Sequence, residues 1–451
     1  MSTTTPFTVI VIGAGIGGLA LGQALVGAGV DVEIFERAPD ASHWPAGYRL
    51  NINQVGSRSL HLCLPGPLWD AFVATSVDPG AGIAFRTEGL KDLVVVERSV
   101  MTGGSTDPAD QHYAVSRSVL RNLLLAGMEP LVRYGKTFQR YERRADGRVT
   151  AYFADGSTVT GDVLVGADGA NSLLRKQYLP DAARTDTDAV SIAGRLPLNR
   201  ETLAWLPDTI SAGMNSIIPA AGSFLFTSAF DGRRTMSGAL EHGYDPTAVG
   251  LRPEQLLDEV SDYVLWAFIT HRSRTPANMS ALDGAELKRL VDGKTRDWHP
   301  TLRRIMAETD AAEVGTMRFK RSTTDYAWTA TPVTLIGDAV HNMPPVMGLG
   351  ANTALRDAAE LSATLAAAHR GETDLVSAIA EYETRMRGYG FGAVQAAAKY
   401  TDMAISGNPL ARGVMKNWFR LCQAVPSVKR KSFGSVWRDI GDRHRDLAGV
   451  A

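Results

Sequence analysis

The chain has 451 residues, 45% of them hydrophobic and 21% charged, with a formal net charge of −1. This length exceeds what one hydrophobic core usually organises, so two or three packed domains are expected. The near-neutral charge gives no field that would attract nucleic acid or an anionic membrane. The only cysteines, Cys63 and Cys422, exclude a disulfide framework and have no metal-ligand spacing. We expect a cytoplasmic protein without a metal site.

Residues 7–32 are apolar enough to raise a membrane span as an alternative. They lack the basic flank of a signal peptide, and four glycines interrupt them: Gly13, Gly15, Gly17 and Gly18. A buried strand over 7–12 and a closely packed helix over 17–28 explain the stretch better. With a second strand over 31–36, these elements form a βαβ unit at the start of the chain.

The glycine turn has the spacing of a dinucleotide-binding fingerprint. Gly13 permits the tight turn, Gly15 lets a pyrophosphate approach the backbone, and Gly18 lets the helix pack closely on the strand. The start of the helix offers free N–H groups to the phosphates. Glu36, at the end of the second strand, is placed to bind a ribose diol, which favours FAD or NAD over NADP. Arg37 beside it is a candidate contact to the adenosine side.

Two further strand–turn–helix motifs follow. In residues 162–175 a hydrophobic strand delivers Asp168 to a turn, and Ser172 is available to cap the next helix. A plain structural turn is the alternative interpretation of this motif. In residues 335–352, Asp338 follows another buried strand, at the end where open α/β sheets present groups to ligands.

The loop after Asp338 is expected to face a flat ring. Two prolines stiffen it and two glycines let its backbone come close: Pro344, Pro345, Gly348 and Gly350. A long helix is predicted from Ala351 to about Ala368, with its positive end aimed at the charge that develops on a reduced flavin. Gly350, Ala351 and Asn352 at this end are therefore candidate cofactor contacts.

Together, the three motifs resemble those of the p-hydroxybenzoate-hydroxylase-type flavoprotein monooxygenases, a family that includes the tetracycline-degrading flavoenzymes. The resemblance covers roughly residues 7–400. It implies FAD, with NADPH or NADH as a transient electron donor. It assigns six residues to FAD: Gly13, Gly15, Gly18, Glu36, Asp168 and Asp338. The family also has an arginine before a helix between the first two motifs, which makes Arg117 the expected FAD arginine and Arg121 a second candidate.

The chain departs from the family's pattern at two points. Leu349 stands where many members have glutamine, a change that backbone contacts to the flavin can survive. Trp44 stands where a basic residue often contacts the isoalloxazine, which puts the mobility of the flavin in doubt. No cysteine or histidine lies in an obvious flavinylation context, so non-covalent FAD is expected. His341 is expected to be a structural histidine rather than a catalytic base.

The predicted fold is α/β: a Rossmann-like FAD-binding domain with a mixed or parallel sheet, interleaved with an antiparallel-sheet substrate domain and followed by C-terminal helices. The substrate domain is predicted from short runs in which apolar and polar residues alternate, as is typical of antiparallel strands. The expected division is 1–80, 103–180 and 300–365 for FAD, 81–102 and 181–299 for the substrate, and 366–451 for the helical region.

The leading functional hypothesis is oxygen insertion. NAD(P)H would reduce FAD, O₂ would add at C4a, and the hydroperoxide would hydroxylate or epoxidise an apolar aromatic or polycyclic small molecule. Natural-product tailoring and antibiotic or aromatic degradation both fit such a reaction. The alternatives are a flavin dehydrogenase or oxidase, and a flavin-bearing protein that sequesters a ligand. A disulfide oxidoreductase is disfavoured because the chain has no Cys-x-x-Cys.

Substrate contacts are expected in the inserted region, which is rich in aromatic residues: Phe224, Phe226, Phe230, Tyr244, Tyr263, Trp266 and Phe268. On alternating strands about half of them would line a pocket and the others would be core. The candidate contacts are Met214, Phe224, Phe226, Arg195 and His242. No residue is named as a catalytic acid or base, and the assembly is expected to be a monomer or homodimer.

Overall fold

A computed structural model of the chain describes residues 7–43, 49–77, 80, 82–220, 222–241, 244–256 and 262–441. Its strands, in chain order, are β1 Thr8–Ile12, β2 Asp31–Phe35, β3 Leu50–Ile52, β4 Gly82–Arg86, β5 Asp92–Glu97, β6 Tyr113–Val115, β7 Val132–Arg133, β8 Phe138–Arg143, β9 Val149–Phe153, β10 Thr158–Gly161, β11 Val163–Gly166, β12 Arg184–Pro197, β13 Met214–Ile217, β14 Ser223–Asp231, β15 Asp262–His271, β16 Gly315–Ser322 and β17 Val333–Leu335.

The helices, in chain order, are α1 Ile16–Gly27, α2 Gln54–Cys63, α3 Gly66–Thr75, α4 Arg98–Met101, α5 Arg117–Leu125, α6 Leu173–Tyr178, α7 Arg200–Trp205, α8 Asp208–Ser211, α9 Gly232–Glu241, α10 Gly284–Lys294, α11 Pro300–Glu308, α12 Asp338–His341, α13 Leu349–His369, α14 Leu375–Met386, α15 Gly392–Ile405, α16 Pro409–Ala424 and α17 Pro426–Gly441. No helix in the described part of the chain is long and apolar enough to cross a membrane.

A five-stranded parallel sheet in the order β17-β11-β1-β2-β7 is the centre of the first layer. Its central strands are β-branched and buried on both faces, as a parallel sheet covered by helices requires. Helix α1 connects β1 to β2, which confirms the βαβ unit predicted from the sequence. Helix α13 packs against α1 and begins at Leu349, two residues before the predicted start.

The second layer is a seven-stranded sheet in the order β16-β12-β15-β14-β13-β4-β5. It corresponds to the inserted sheet of the predicted α/β fold. Its pairs are antiparallel except for β13 with β4, which run parallel. The edge strand β16 pairs along β12, so this sheet takes a strand from beyond residue 299. The expected division placed residues 300–365 in the FAD-binding domain. We propose instead that residues up to about 322 belong to the inserted layer.

The two faces of the inserted sheet have different neighbours. One face carries Trp266 and Phe268, which pack with apolar side chains of α10 and α11 in a separate core. The opposite face carries Phe224 and Ile269, which pack with residues 343–349 and helix α15. Because side chains alternate along a strand, the face that carries Phe224 packs against residues 343–349, whereas Trp266 and Phe268 lie on the face away from them.

Candidate functional site

The three motifs meet at one edge of the parallel sheet. The glycine turn follows β1, the Asp168 turn follows β11, and the Asp338 turn follows β17, and these strands are neighbours in the sheet. Glu36 follows the next strand, β2. Since the carboxyl ends of parallel strands lie at the same edge, residues that are 22 to over 300 positions apart share one site.

The glycine turn is built to leave room at Gly15 alone. A Cβ at Gly13 would lie 2.4 Å from the carbonyl oxygen of Ala167, and Gly13 has a φ of +109°. A Cβ at Gly18 would lie 2.1 Å from the carbonyl oxygen of Gly13. At Gly15 a Cβ would meet nothing within 4 Å. Gly13 and Gly18 are thus required by the protein's own packing, whereas Gly15 borders open space at the start of α1.

Glu36 and two arginines surround the adenosine end of the expected site. The Glu36 carboxylate accepts hydrogen bonds from the backbone N–H groups of Ala14 and Ala38, both at 2.9 Å. Burial and, to a smaller extent, the charge of Arg117 lower the pKa of Arg121 to about 10, although the charge of Glu36 opposes the change. Arg117, the first residue of α5, is exposed, as is Arg37.

Asp168 holds the second turn together. Its Oδ2 accepts hydrogen bonds from the backbone N–H groups of Leu173 at 3.0 Å and Leu174 at 3.5 Å. The Ser172 side chain caps α6 by accepting from Arg175 N at 2.8 Å. Burial raises the pKa of Asp168, although these N–H groups act in the opposite direction. Its other oxygen, Oδ1, is buried without a hydrogen-bond partner in the described structure, as expected of an atom that meets a ligand.

A buried aspartate that the sequence did not single out fixes the third turn. Asp357 Oδ2 accepts from the backbone N–H of Gly337 at 2.7 Å and is 2.6 Å from His341 Nε2, and its Oδ1 accepts from Tyr389 OH at 2.7 Å. Burial alone would lower the pKa of His341, but the charge and hydrogen bond of Asp357 outweigh it and the pKa is raised. His341 is fully buried, which supports a structural role.

The loop after α12 leads from Asp338 to the start of α13. Asp338 is exposed, and its Oδ1 would lie 4.0 Å from a Cβ placed on Gly350. Pro344 is buried and Pro345 exposed. Met347, with a φ of +62°, and Gly348, with +63°, both have left-handed backbone conformations. A non-glycine residue in this conformation is uncommon and clusters at functional sites, which fits a loop shaped around a ligand.

Asn352 ties the start of α13 to strand β3. Its Oδ1 accepts from the backbone N–H of Asn53 at 2.9 Å, and its Nδ2 donates to the carbonyl oxygens of Asn51 at 2.9 Å and Gly348 at 2.6 Å. Ala351 precedes it in the first turn of the helix and is half-buried. The side chain predicted as a cofactor contact therefore joins the start of α13 to the segment of Asn51 and Asn53.

The predicted aromatic contacts lie on the face of the inserted sheet that meets this loop. Phe224 packs in one cluster with Met343, Val346 and Leu349, and partly buried Phe226 lies against the same cluster. Tyr400 of α15 makes an edge-to-face contact with Phe224, with ring centroids 6.4 Å apart. An apolar wall therefore faces the loop, as an aromatic substrate would require.

The other candidate contacts have different surroundings. Met214 packs toward the opposite edge of the same sheet, with Phe85 and Val96. Arg195 forms an ion pair with Glu313, at 2.7 Å between Nη2 and Oε2, and its guanidinium lies 5.9 Å from the ring centroid of Tyr263. The charge of Arg195 is thus already paired within the protein. His242 and Trp44 lie outside the described residues.

The residues present fit FAD: a glycine opening at a helix start, an acid after β2, two nearby arginines, and orphaned buried polar atoms on Asp168, Asn51 and Asn53. The architecture defines a dinucleotide-binding flavoprotein with an inserted, mainly antiparallel sheet. A family model described as an FAD binding domain matches residues 6–397, and the chain belongs to that family. The resemblance noted from the sequence is confirmed.

The chain is similar to several FAD-dependent monooxygenases over most of its length. It is 32% identical over 397 residues, 84% of its length, to a dual O-methyltransferase/FAD-dependent monooxygenase from Cercospora beticola, and spans less than half of that protein, 44%. It is 28% identical to an FAD-dependent monooxygenase from Penicillium herquei, covering 85% of this chain and 88% of that one. A solved structure of a candidate FAD-containing monooxygenase from Photorhabdus luminescens is 34% identical, with a TM-score of 0.77 and coverage of 88% of this chain and 98% of that one.

Proposed function

We propose that the protein is an FAD-dependent monooxygenase that uses NADPH or NADH to oxygenate an apolar aromatic or polycyclic small molecule. The observation that carries the substrate class is the apolar wall around Phe224 and Phe226, placed against the loop that continues from Asp338. The relatives named above support the reaction class. FAD, when bound, supplies the redox and oxygen-activating chemistry, which no protein side chain can provide.

The chain's own part is binding and orientation. Gly13, Gly15 and Gly18 form the phosphate turn, Glu36 receives the ribose, and Arg117 and Arg121 add positive charge near it. Asp168 and Asp338 serve the middle of the cofactor. The start of α13 offers its positive end and free N–H groups beside Gly350. The sheet wall excludes water and fixes the substrate over the loop.

Two measurements test the proposal. The purified protein is expected to be yellow and to release intact FAD on denaturation; release of FMN, or flavin that stays on the peptide, would contradict the cofactor assignment. Aerobic turnover with a panel of phenols and polycyclic aromatics should then consume NAD(P)H and give products one oxygen heavier. Hydrogen peroxide with a dehydrogenated product identifies a dehydrogenase or oxidase instead, and no substrate-dependent NAD(P)H consumption identifies a ligand-sequestering protein.

A kinetic consequence follows from the placement of the wall. A substrate bound there contacts the loop of residues 344–350, so its presence is coupled to the cofactor's surroundings. We expect NAD(P)H oxidation to rise at least tenfold with the true substrate, about 1.4 kcal/mol of barrier. Rapid-mixing absorbance under argon measures the reduction step directly. Equal rates with and without a substrate that is oxygenated would contradict this coupling.

A further inference from the structure

Strand β3 carries a row of polar side chains on one face. Arg49 precedes the strand, and Asn51 and Asn53 follow at intervals of two residues, so the three share a side of this extended segment. Each has one buried polar atom with no hydrogen-bond partner in the described structure: Arg49 Nη2, Asn51 Oδ1 and Asn53 Nδ2. Buried polar groups are nearly always paired, so three orphans in a row mark a surface that meets a ligand.

The two ends of this row have different neighbours. Asn51 and Asn53 are bonded to Asn352 at the start of α13, on the cofactor side. Arg49 lies at the inserted sheet instead. Its Nη1 donates to the carbonyl oxygen of Ala229 at 3.0 Å, and its backbone N–H donates to Tyr263 OH at 2.8 Å. The row therefore leads from the cofactor cradle to the sheet that forms the substrate wall.

Arg49 is also a buried cation without a matching anion. It is 8% exposed, and no carboxylate among the described residues lies within ion-pair distance of it. Burial lowers the pKa of its guanidinium to about 10, and only Tyr263 acts in the opposite direction. The guanidinium still remains charged at neutral pH. A buried charge is costly unless it is paired, so this one needs an acceptor from outside the fold.

A structural arginine in the same protein shows the contrast. Arg412 is buried to a similar degree, at 3% exposure, and donates from all three guanidinium nitrogens to carbonyl oxygens of Ser406, Pro219, Ser223 and Ala404. Arg195 on the inserted sheet is likewise paired, with Glu313. The Nη2 of Arg49 has neither a carbonyl oxygen nor a carboxylate as partner. The bonds of its Nη1 and of its backbone N–H nevertheless fix the position of the residue.

We propose that Arg49 binds an anionic oxygen of the aromatic substrate, a carboxylate or an ionised ring hydroxyl, where strand β3 meets the inserted sheet. The proposal rests on the proposed function for the identity of the ligand as an aromatic substrate. A guanidinium forms its strongest hydrogen bonds with such oxygens. The substrate class thereby becomes an apolar ring system with one anionic edge: the rings face Phe224 and Phe226, and the anion faces Arg49.

The test measures binding to the FAD-loaded protein without an electron donor. The probes are three matched pairs of a hydroxyarene carboxylate and its neutral amide, with one, two and three rings; 3-hydroxy-2-naphthoate and its amide form the two-ring pair. Calorimetry and flavin absorbance report the affinities. In the wild type we expect at least one carboxylate to bind at least tenfold more tightly than its amide. In Arg49→Met that preference should fall to less than threefold, and Arg49→Lys should retain part of it.

The control is Arg304→Met, which removes a cation from α11 behind the opposite face of the sheet and should keep the full preference. Thermal unfolding of each variant separates loss of binding from loss of folding, and Arg49→Lys keeps the test informative if Arg49→Met is unstable. A preference retained in Arg49→Met, or absent from all three wild-type pairs, overturns the proposal. So does tenfold weaker FAD or NADPH binding in Arg49→Met with the preference intact, which assigns Arg49 to a cofactor.

The two proposals fail in different ways. Because binding is measured without turnover, a protein that prefers the carboxylate through Arg49 but yields no oxygenated product contradicts the monooxygenase proposal alone. A protein that oxygenates its substrate while Arg49→Met leaves the preference unchanged contradicts the role of Arg49 alone.

Discussion

Asp357 accepts a hydrogen bond from the backbone N–H of Gly337 at 2.7 Å, and this bond joins helix α13 to the turn that presents Asp338. Gly337 has a φ of +62°, and a Cβ there would lie 3.1 Å from that of Ala354. The turn is therefore both conformationally unusual and closely packed, and it depends on a carboxylate twenty residues away. The same carboxylate also engages His341 and Tyr389.

Replacing Asp357 with Asn should destabilise the fold strongly. The amide has one acceptor oxygen for three donors, and the buried His341 loses its charge partner. We expect a loss of about 3–5 kcal/mol in the free energy of unfolding, as for other broken buried ion pairs. Chemical denaturation of the FAD-free protein measures it. Tyr389→Phe removes one donor only and should cost about 1 kcal/mol; equal losses in the two variants would refute Asp357 as the hub.

Gly15→Ala should weaken FAD binding without harming the fold. The new methyl group meets no protein atom within 4 Å, and Gly15 has an ordinary φ of −74°. The methyl would occupy the approach that a pyrophosphate needs, so FAD affinity should fall at least tenfold, about 1.4 kcal/mol. Equilibrium dialysis against FAD measures the affinity, and unfolding of the FAD-free protein checks the fold.

Gly27→Ala is the matched control for this variant. It also adds a methyl with no neighbour within 4 Å, but at the other end of α1. It should leave FAD binding unchanged and stabilise the helix by up to about 1 kcal/mol. Gly18→Ala should instead impair folding, because its Cβ would collide with the carbonyl oxygen of Gly13. Normal FAD binding by Gly15→Ala would show that the pyrophosphate of FAD does not bind at this turn.

Local pattern was sufficient to predict the parts of the fold that depend on neighbouring residues. The β-branched run of β1, the glycine turn and Glu36 lie within one βαβ unit, so the sequence specifies them directly. Alternation along β14 and β15 likewise predicts that aromatic residues divide between two faces, as Phe224 and Trp266 do. These features need no information about distant segments.

Contacts between distant segments were not predictable in this way. Asn352 bonds to Asn53 across 299 positions, and Arg49 reaches Ala229 across 180, because the order of the strands in two sheets brings them together. Asp357 lies in an alanine-rich helix, where a charge on the buried side is the one signal the sequence offers. Strand β16 is a mostly exposed edge strand, so its sequence shows little alternation of apolar and polar residues. Its pairing with β12 was therefore visible only in the folded chain.

Asp338→Ala should weaken FAD binding more than folding. Asp338 is exposed and no hydrogen bond from another described side chain to it is present, so its removal should change the free energy of unfolding by less than about 0.5 kcal/mol. A charge-assisted hydrogen bond to the cofactor contributes about 1.5–3 kcal/mol, a loss of about 10- to 150-fold in affinity. FAD titration beside melting curves tests this, and normal FAD affinity would make Asp338 structural.

Glu36→Ala offers a comparison in which both quantities should fall. Its carboxylate already accepts hydrogen bonds from Ala14 N and Ala38 N, so the variant leaves two backbone donors without this partner. We expect about 1–2 kcal/mol of lost stability in the FAD-free protein in addition to weaker FAD binding. Unchanged stability would show that these two bonds form only weakly in solution.

Glu383→Gln should stabilise the protein at alkaline pH. Glu383 is 2% exposed and accepts hydrogen bonds from Trp328 Nε1 at 2.7 Å, Thr334 Oγ1 at 2.9 Å and Tyr178 OH at 3.1 Å. Burial raises its pKa to about 7 despite these donors. A raised carboxyl pKa means that the folded state holds the proton more tightly than the unfolded state. Stability is therefore lost as pH rises from about 4.5 to 7, and the loss is complete above pH 7.

A glutamine carries no charge to bury, and its amide oxygen can accept from Trp328 while its N–H₂ faces the two hydroxyls, which can also accept. The stability of Glu383→Gln relative to wild type should therefore increase by about 2–3 kcal/mol between pH 5 and pH 8. Urea unfolding at the two pH values measures the difference. Glu381→Gln, an exposed change one half-turn earlier on α14, should show no such increase. No increase in Glu383→Gln would mean that Glu383 is ionised in the folded protein at pH 5, and an equal increase in both variants would mean that the effect does not come from Glu383.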